Sequence, residues 1–225
     1  ADTWGNKGYS QINLGKYEEA IASCAEAIRI NPLHASAMNT KGQALGKLGR
    51  YEEALQCFDK VLFELKPDRR DIKVAAWDNK GYFLNELGRY EEAIDCFDKA
   101  LELNSKYTSA WQNKLYACLH LCLREASDES IFITPAAVYK EALSKVGNKE
   151  GFTAKIRKSI AFWFKDAIFE GYISSNETLF SLLSKFEITF GELGIKTPSF
   201  EEIKEVCEKS EKYEVYRERV ERIFG

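Results

Sequence analysis

The chain has 225 residues, of which 45% are hydrophobic and 13% aromatic, a composition that suits a packed core and argues against a disordered protein. Its 32 basic and 35 acidic residues give a net charge of −3 and a pI of about 5.7. That balance argues against a protein whose main partner is a polyanion, because such proteins usually carry a basic excess. No run of about 18 apolar residues occurs, so the sequence predicts no membrane-spanning helix.

The cysteines indicate a reducing compartment. All six lie within helical patterns and none forms a C-x-x-C pair, so we expect core thiols rather than a disulfide framework. This usage favours an intracellular, cytoplasmic location. The first residue is Ala1 rather than Met, and residues 2–14 already have a helical pattern. We therefore expect either processing or a fragment of a longer protein, and favour the fragment.

A five-residue motif organises the first half of the chain. It stands as KYEEA from Lys16 and returns as RYEEA from Arg50 and from Arg89, each time directly after a glycine. The spacings are 34 and 39 residues. A period near 34 is typical of stacked helix–turn–helix repeats.

Each repeat predicts two helices joined by a tight turn. In the first repeat, residues 2–14 have helical spacing, and Gly15 can take the left-handed conformation that closes a helix. The second helix opens with Glu18 and Glu19, whose carboxylates suit the positive N-terminal end of a helix. Pro32 ends that helix because proline cannot continue its hydrogen bonds. No stretch shows convincing strand alternation, so the predicted fold is all-α.

These residues resemble the tetratricopeptide repeat, whose pattern is W-x2-L-G-x2-Y, then A-x3-F, then P, over about 34 residues. The first unit supplies Trp4, Lys7, Gly8, Gln11, Ala20, Cys24 and Pro32. The second supplies Met38, Lys41, Gly42, Leu45, Ala54, Phe58 and a late Pro67. The third supplies Trp77, Lys80, Gly81, Leu84, Ala93, Phe97 and Ser105. A degenerate fourth supplies Trp111, Lys114, Leu115 and Cys118. The resemblance covers about the first 122 residues and implies a helix–turn–helix solenoid.

The chain departs from the family pattern in two ways. Lysine stands at the leucine position in all four units, which predicts a rim where the stem packs and the amine reaches water. Five extra residues precede Trp77. With Asp68 as the N-cap, they predict about one and a half added turns on the third unit's first helix. A longer loop is the alternative.

The repeat pattern fades after residue 123, and further helices follow. Thr134 and Pro135 are expected to open the first of them as cap and first helical residue. The predicted helices span about 134–146, 150–172, 176–191 and 199–223. We therefore divide the chain into a tetratricopeptide solenoid at residues 1–123 and a C-terminal helical capping domain at residues 124–225, which would cover the apolar end of the solenoid.

The resemblance implies that the first helices of the units line a concave groove. The positions that match this groove include Lys47 and Asp78 as well as several amides and tyrosines. From them we predict nine amides and tyrosines to bind a peptide: Asn6, Tyr9, Asn13, Asn39, Gln43, Asn79, Tyr82, Asn113 and Tyr116. An amide can both donate to and accept from a peptide bond, and tyrosine adds flat contact area. The alternative is that the asparagines pack the helices together and form a scaffold alone.

Some members of the family grip a terminal carboxylate with lysines and arginines of the groove. Where the first such lysine would stand, this chain has Gly5, Asn39, Asp78 and Gln112. We therefore do not expect a carboxylate clamp or the chaperone tails that such a clamp binds.

No pattern in the chain predicts catalysis or a metal site. Cys118, His120 and Cys122 follow each other at two-residue steps, so on a helix only Cys118 and Cys122 share a face. One helix turn thus offers two metal ligands rather than four, and we interpret all three as core residues. We expect His34, beside Pro32, to be exposed to solvent. Glycines serve turns and helix contacts rather than a phosphate loop. We predict no enzyme activity, no metal and no cofactor.

The predicted function is an intracellular protein–protein interaction adaptor that binds a protein or peptide of unknown identity. The first alternative is a non-catalytic accessory region of a larger enzyme, since this family is often joined to catalytic domains. The minor alternative is an RNA-binding helical repeat, which a strong fall of affinity with salt would support. We expect neither a membrane nor nucleic acid as the main partner. Self-association stays open.

Overall fold

The computed structural model describes residues 1–65, 69–124, 133–170, 173, 176–191 and 195–224. Those residues form helices and turns, and none of them lies in a strand. The helices are α1 (Asp2–Asn13), α2 (Tyr17–Ile30), α3 (Ala35–Lys47), α4 (Tyr51–Asp59), α5 (Arg70–Glu86), α6 (Tyr90–Leu103), α7 (Thr108–Arg124), α8 (Ile133–Lys145), α9 (Lys149–Glu170), α10 (Asn176–Phe190), α11 (Phe200–Glu208) and α12 (Tyr213–Phe224). The all-α prediction is confirmed.

The chain divides into two compact units, Ala1–Asn113 and Lys114–Gly225. In the first unit each helix packs on the next: α1 on α2, α2 on α3, α3 on α4, α4 on α5 and α5 on α6. The first helices also contact each other, α1 with α3 and α3 with α5. This arrangement is the predicted stack of helix–turn–helix repeats, in which the first helices stand side by side.

Three glycine turns close the first helices of the repeats, as predicted. Gly15, Gly49 and Gly88 have φ angles of 72°, 78° and 70°. In the first turn the Gly15 N–H donates to the carbonyl of Ile12, and the Lys16 N–H donates to that of Gln11. This pair of bonds satisfies carbonyls that the end of a helix leaves without partners. The other two turns repeat the same pairing.

The paired helices approach closely because a glycine faces a large or polarizable side chain. A Cβ at Gly81 would lie 2.5 Å from a ring carbon of Phe97, and one at Gly8 would lie 2.5 Å from the sulfur of Cys24. Both partner side chains are completely buried. The repeat pattern therefore encodes complementary shapes, with glycine on the first helix and a bulky residue on the second.

The region before Trp77 differs in part from the prediction. Helix α5 has 17 residues against 12 in α1 and 13 in α3, which confirms the added length. Its N-cap is Arg69, while the predicted cap Asp68 lies outside the described residues. The preceding helix α4 also continues as a π-helical stretch, Lys60–Leu65.

Two polar residues of the first unit are more enclosed than predicted. The His34 side chain, only 12% exposed, caps α3: its Nδ1 accepts from the Ala37 N–H at 3.1 Å and its Nε2 lies 2.9 Å from the Asp2 carboxylate. Exposure of His34 was therefore the wrong expectation. The Lys80 ammonium, expected to reach water, pairs instead with Asp59 at 2.5 Å and is 18% exposed.

The second unit has an aromatic core. Trp163 and Phe164 on α9 are completely buried, and Phe164 meets Phe186 of α10 edge-on with ring centroids 6.1 Å apart. Helix α9 also packs on α11 and α12. At its C-terminal end, the Arg219 guanidinium donates to the carbonyls of Ile168 and Phe169 at 3.1 and 2.6 Å. The last turn of α9 thus gains partners for carbonyls that the helix itself cannot satisfy.

Two helix boundaries in the second unit correct the sequence prediction. Helix α8 begins at Ile133, so Thr134 and Pro135 lie in its first turn rather than at its cap. The helix predicted from about 199 to 223 is two helices, α11 and α12. Between them, the Ser210 hydroxyl accepts from the Lys212 N–H and so competes with helical hydrogen bonding. Ser199 caps α11 in a capping box with Glu202.

Candidate functional site

A cavity of about 320 Å³ opens among the first helices of the repeats in the first unit. Its lining, which we call the polar groove, comes from α1, α3, α5 and α7: Ile12, Gln43, Lys47, Asp78, Asn79, Tyr82, Phe83, Ser109 and Asn113. Six of these side chains carry a polar or charged group without counting the tyrosine hydroxyl. The polar groove is therefore suited to a ligand rich in hydrogen-bonding groups.

Helical spacing explains why these side chains share one face. Gln43 and Lys47 are four residues apart on α3, and so are Ser109 and Asn113 on α7. Residues three or four apart lie one above the other on a helix. Gly81, between the groove residues of α5, faces α6 instead. Each first helix thus uses one face for its partner helix and another for the groove.

Asparagines of the groove connect neighbouring first helices. The Asn79 side-chain amide donates to the Asn39 side-chain oxygen at 3.2 Å, which joins α5 to α3. The Asn113 amide donates to Asp78 at 3.1 Å, which joins α7 to α5. Asn39 is buried, whereas Asn79 and Asn113 are half-buried. These contacts support the packing role that was the alternative to ligand binding. An amide can fill both roles if some of its hydrogen-bond donors or acceptors are not used in packing.

Asp78 is the buried acid of the polar groove. It is 6% exposed, and its two carboxylate oxygens accept from the Ser109 hydroxyl at 2.8 Å and from the Asn113 amide at 3.1 Å. Burial raises the pKa of this carboxyl, while the two hydrogen bonds act in the opposite direction. No lysine, arginine or histidine within the described residues forms an ion pair with it.

Lys47 and Tyr82 form a second polar element of the groove. The Lys47 ammonium lies 4.8 Å from the centroid of the Tyr82 ring and 3.4 Å from its hydroxyl. The ring also meets Phe83 edge-on at 5.0 Å, which fixes its orientation. Burial raises the pKa of the Tyr82 hydroxyl, and the Glu86 carboxylate raises it further. The hydroxyl therefore stays protonated and can donate at neutral pH.

Four of the nine predicted site residues line the polar groove: Gln43, Asn79, Tyr82 and Asn113. Of the rest, Asn6, Tyr9 and Asn13 are exposed on α1, and Asn39 is buried beneath Asn79. Tyr116 belongs to the second unit, where its hydroxyl donates to Asp166 at 3.1 Å. Whether these residues bind a ligand stays a prediction.

Sequence reasoning left several groove residues out of the predicted set. Ser109 lies one helical turn before Asn113, a spacing that could have revealed it. Lys47 and Asp78 stand at positions that match the groove, but only amides and tyrosines were selected from those positions. Ile12 and Phe83 have no sequence signal that separates a groove wall from a core position.

A larger cavity, about 910 Å³, lies within the second unit. Its lining is mostly apolar and includes Ala161, Phe162 and Pro198, with charged residues such as Arg157 and Glu202 at 3.7 Å from each other. Ile195 on its wall directly follows residues 192–194, which lie outside the described part of the chain. We assign no functional residue to it.

The thiols and the second histidine occupy core positions. Cys118 and His120 are buried and Cys122 is half-buried. Burial lowers the pKa of His120 to about 4, although the Asp166 carboxylate raises it. Within the described residues, no group of three or more histidine, cysteine, aspartate or glutamate side chains could hold a metal ion. No helix formed by those residues is long and apolar enough to cross a membrane.

Three family models, each described as tetratricopeptide repeat, match the first half of the chain. One matches residues 1–33 and again 74–107, a second matches residues 23–56 and a third matches residues 41–73. The matched segments contain the three glycine turns and the helices that line most of the polar groove.

Two relatives from Methanocaldococcus jannaschii share sequence with the chain. The uncharacterized protein MJ0572 is 44% identical over 58 residues, which are 26% of this chain and 67% of the relative. The TPR repeat-containing protein MJ1428 is 36% identical over 59 residues, which are 26% of this chain and 10% of the relative. The matched part therefore spans only a tenth of the length of MJ1428.

Solved structures share the fold at low sequence identity. TTC0263, a thermophilic TPR protein of Thermus thermophilus, matches with a TM-score of 0.55 and 17% identity over 92% of this chain and 97% of the other. YrrB, a TPR protein with an unusual peptide-binding site, matches with a TM-score of 0.52 and 16% identity over 85% of this chain and 87% of the other. At these identities the likeness concerns the helical solenoid.

Proposed function

Because this chain belongs to the tetratricopeptide repeat family, we propose that it is a protein–protein interaction adaptor that binds an extended or helical peptide segment in the polar groove. Proteins built from these repeats bind other proteins or peptides and are typically non-catalytic. The observation that carries the proposal is the convergence of polar side chains from several first helices on one cavity. Four of the lining residues are among those that the family resemblance predicted for a peptide-binding groove.

The chemistry of the polar groove suits a peptide backbone. A peptide group offers one donor and one acceptor, and the amides of Gln43 and Asn79 can satisfy both. Asn79 donates one N–H of its side-chain amide to Asn39, and this bond holds the amide in place. The second N–H and the oxygen of the amide can then bind a peptide group. Tyr82 supplies a flat, partly exposed ring with few rotatable bonds, so little entropy is lost on binding. The peptide-binding site of YrrB supports this role by analogy of fold.

We propose roles for the two parts of the chain as well. Residues 1–123 act as the binding solenoid, and residues 124–225 cap it. A solenoid end exposes an apolar face that needs a closing element, which is the physical basis of the second role. The chain itself would be non-catalytic, with a cytoplasmic location suggested by its free cysteines.

We expect Tyr82→Ala to weaken peptide binding about tenfold or more, as removal of a central aromatic contact usually does. Gln43→Ala should weaken it by about three- to tenfold, because one hydrogen bond is lost. The probe is a peptide selected by random-peptide display against the whole 225-residue chain, with affinity measured by calorimetry.

Gln56→Ala is the matched control, since Gln56 is an exposed glutamine on α4, outside the groove lining. Its affinity should equal that of the unmodified chain, and melting curves should show that all variants stay folded. Equal affinity of the Tyr82, Gln43 and Gln56 variants would reject the polar groove as the binding site.

A further inference from the structure

Asp78 combines burial with a position on the wall of the polar groove. Only 6% of the residue is exposed, yet it lines the cavity beside Asn79 and Tyr82. Both residues that hydrogen-bond its side chain, Ser109 and Asn113, are neutral. The carboxylate is thus held by two neutral hydrogen-bond donors, and no counter-ion for its charge is found among the residues that the structure describes.

A buried carboxylate without a cation is costly, because it loses hydration and gains no Coulomb attraction in return. The raised pKa of Asp78 agrees with this cost. Two neutral hydrogen bonds offset part of it. A cationic group that entered the groove would offset more, since the same low-dielectric surroundings that make the charge costly strengthen its attraction to a cation.

The nearby lysines of the first unit are engaged elsewhere. The Lys47 ammonium lies on the Tyr82 ring and at its hydroxyl, and the Lys80 ammonium pairs with Asp59. Neither ammonium forms an ion pair with the Asp78 carboxylate. Within the described residues, therefore, the chain provides no cation for this acid.

We propose that the Asp78 carboxylate binds the ammonium of a lysine or the guanidinium of an arginine in the partner peptide. This inference rests on the proposed peptide-binding function and specifies its chemistry. Lys47 lines the same groove, so a run of several basic residues would meet repulsion there. The preferred ligand is a peptide with a single basic residue at the position that reaches Asp78.

Asp78 could instead serve only to pack α5 against α7. The variant Asp78→Asn separates this packing role from the proposed binding of a basic residue. Asparagine has the same shape and can still accept from the Asn113 amide while it donates to the Ser109 hydroxyl. The tie between α5 and α7 therefore survives, and only the charge is lost. Removal of an unpaired buried charge should leave the melting temperature unchanged or raise it.

The test uses peptides selected by random display against the whole chain, followed by calorimetry. The unmodified chain should select peptides with lysine or arginine at one fixed position. Replacement of that residue by norleucine should reduce the affinity about tenfold, the scale of a charge-assisted hydrogen bond. Asp78→Asn should reduce the affinity for the basic peptide by a similar factor and leave the affinity for the norleucine peptide unchanged.

Asp95→Asn is the matched control, because it removes the same charge from an exposed position on α6. It should change the affinity less than about twofold, since exposed charges are screened by salt. If Asp78→Asn fails to fold, the norleucine peptide still tests the same charge on the unmodified chain.

Failure of this inference is distinguishable from failure of the proposed function. Selected peptides without a basic residue, or equal affinity for the lysine and norleucine peptides, would overturn the role of Asp78. If Tyr82→Ala still weakened binding in that case, the peptide-binding groove would stand. If neither Tyr82→Ala nor Asp78→Asn changed the affinity, both proposals would be wrong.

Discussion

Replacement of Phe97 by alanine is expected to reduce the free energy of unfolding by about 3–5 kcal/mol, the range for buried phenylalanine. Phe97 is completely buried, and its ring occupies the space that a side chain at Gly81 would fill. The cavity left behind would adjoin a glycine, which has no side chain that could move into it. Urea unfolding followed by far-ultraviolet circular dichroism measures the loss.

Phe162→Ala is the control for this experiment, because Phe162 is 52% exposed. It should cost about 1 kcal/mol or less, as exposed substitutions usually do. If Phe97→Ala cost no more than Phe162→Ala, the close packing of α5 on α6 would not be a main source of stability, contrary to this account.

Acidification is expected to destabilise the second unit through His120. Its folded pKa is lowered to about 4 by burial, whereas an unfolded histidine has its ordinary value of 6.5. Between these values the unfolded chain binds a proton that the folded chain does not, so stability present at neutral pH is lost as the pH falls from about 6.5 to about 4. The full effect is about 3 kcal/mol, because each pKa unit corresponds to about 1.4 kcal/mol.

His120→Gln tests this contribution, since glutamine is polar and does not titrate. The denaturation midpoint should fall for both the unmodified chain and the variant as the pH is lowered from about 7 to about 4. The fall should be smaller for His120→Gln, because glutamine takes up no proton. Asp166, which raises the pKa of His120, stays present in both proteins. Parallel declines would show that His120 titrates normally in the folded chain.

Features that depend on neighbouring residues in sequence were predictable. The glycine turns follow from local backbone chemistry, because few other residues adopt a left-handed conformation without strain. Gly81 and Phe97 could be paired in advance because the repeat fixes their spacing at 16 residues. Local rules repeated at a known period therefore carry most of the fold of residues 1–113.

Features that depend on side-chain competition were harder to predict. The ring of His34 caps α3 through Nδ1, while its Nε2 lies within hydrogen-bonding distance of Asp2, 32 residues earlier in the chain. The break between α11 and α12 occurs at Ser210, whose hydroxyl can compete with the backbone but does so only in some helices. Apolar periodicity runs through the break, so it could not reveal the boundary.

The candidate site could be predicted only in part from the sequence. Gln43, Asn79 and Tyr82, which line the cavity, could be named in advance because the family resemblance assigns one face of each first helix to a groove. The burial of Asp78 could not be predicted in this way. It depends on contacts with Ser109 and Asn113, which lie 31 and 35 residues further along the chain. A charge usually indicates a solvated position, and only tertiary packing shows otherwise.

The most direct test of the groove as the binding site is photo-crosslinking with the display-selected peptide. A photoreactive phenylalanine derivative replaces Gln43 in the polar groove in one protein and Gln56 on α4 in another. We predict that the peptide crosslinks to the protein labelled at residue 43 and not to the one labelled at 56, and that excess unlabelled peptide suppresses the product. Crosslinking at residue 56 alone, or equally at both positions, would contradict the account.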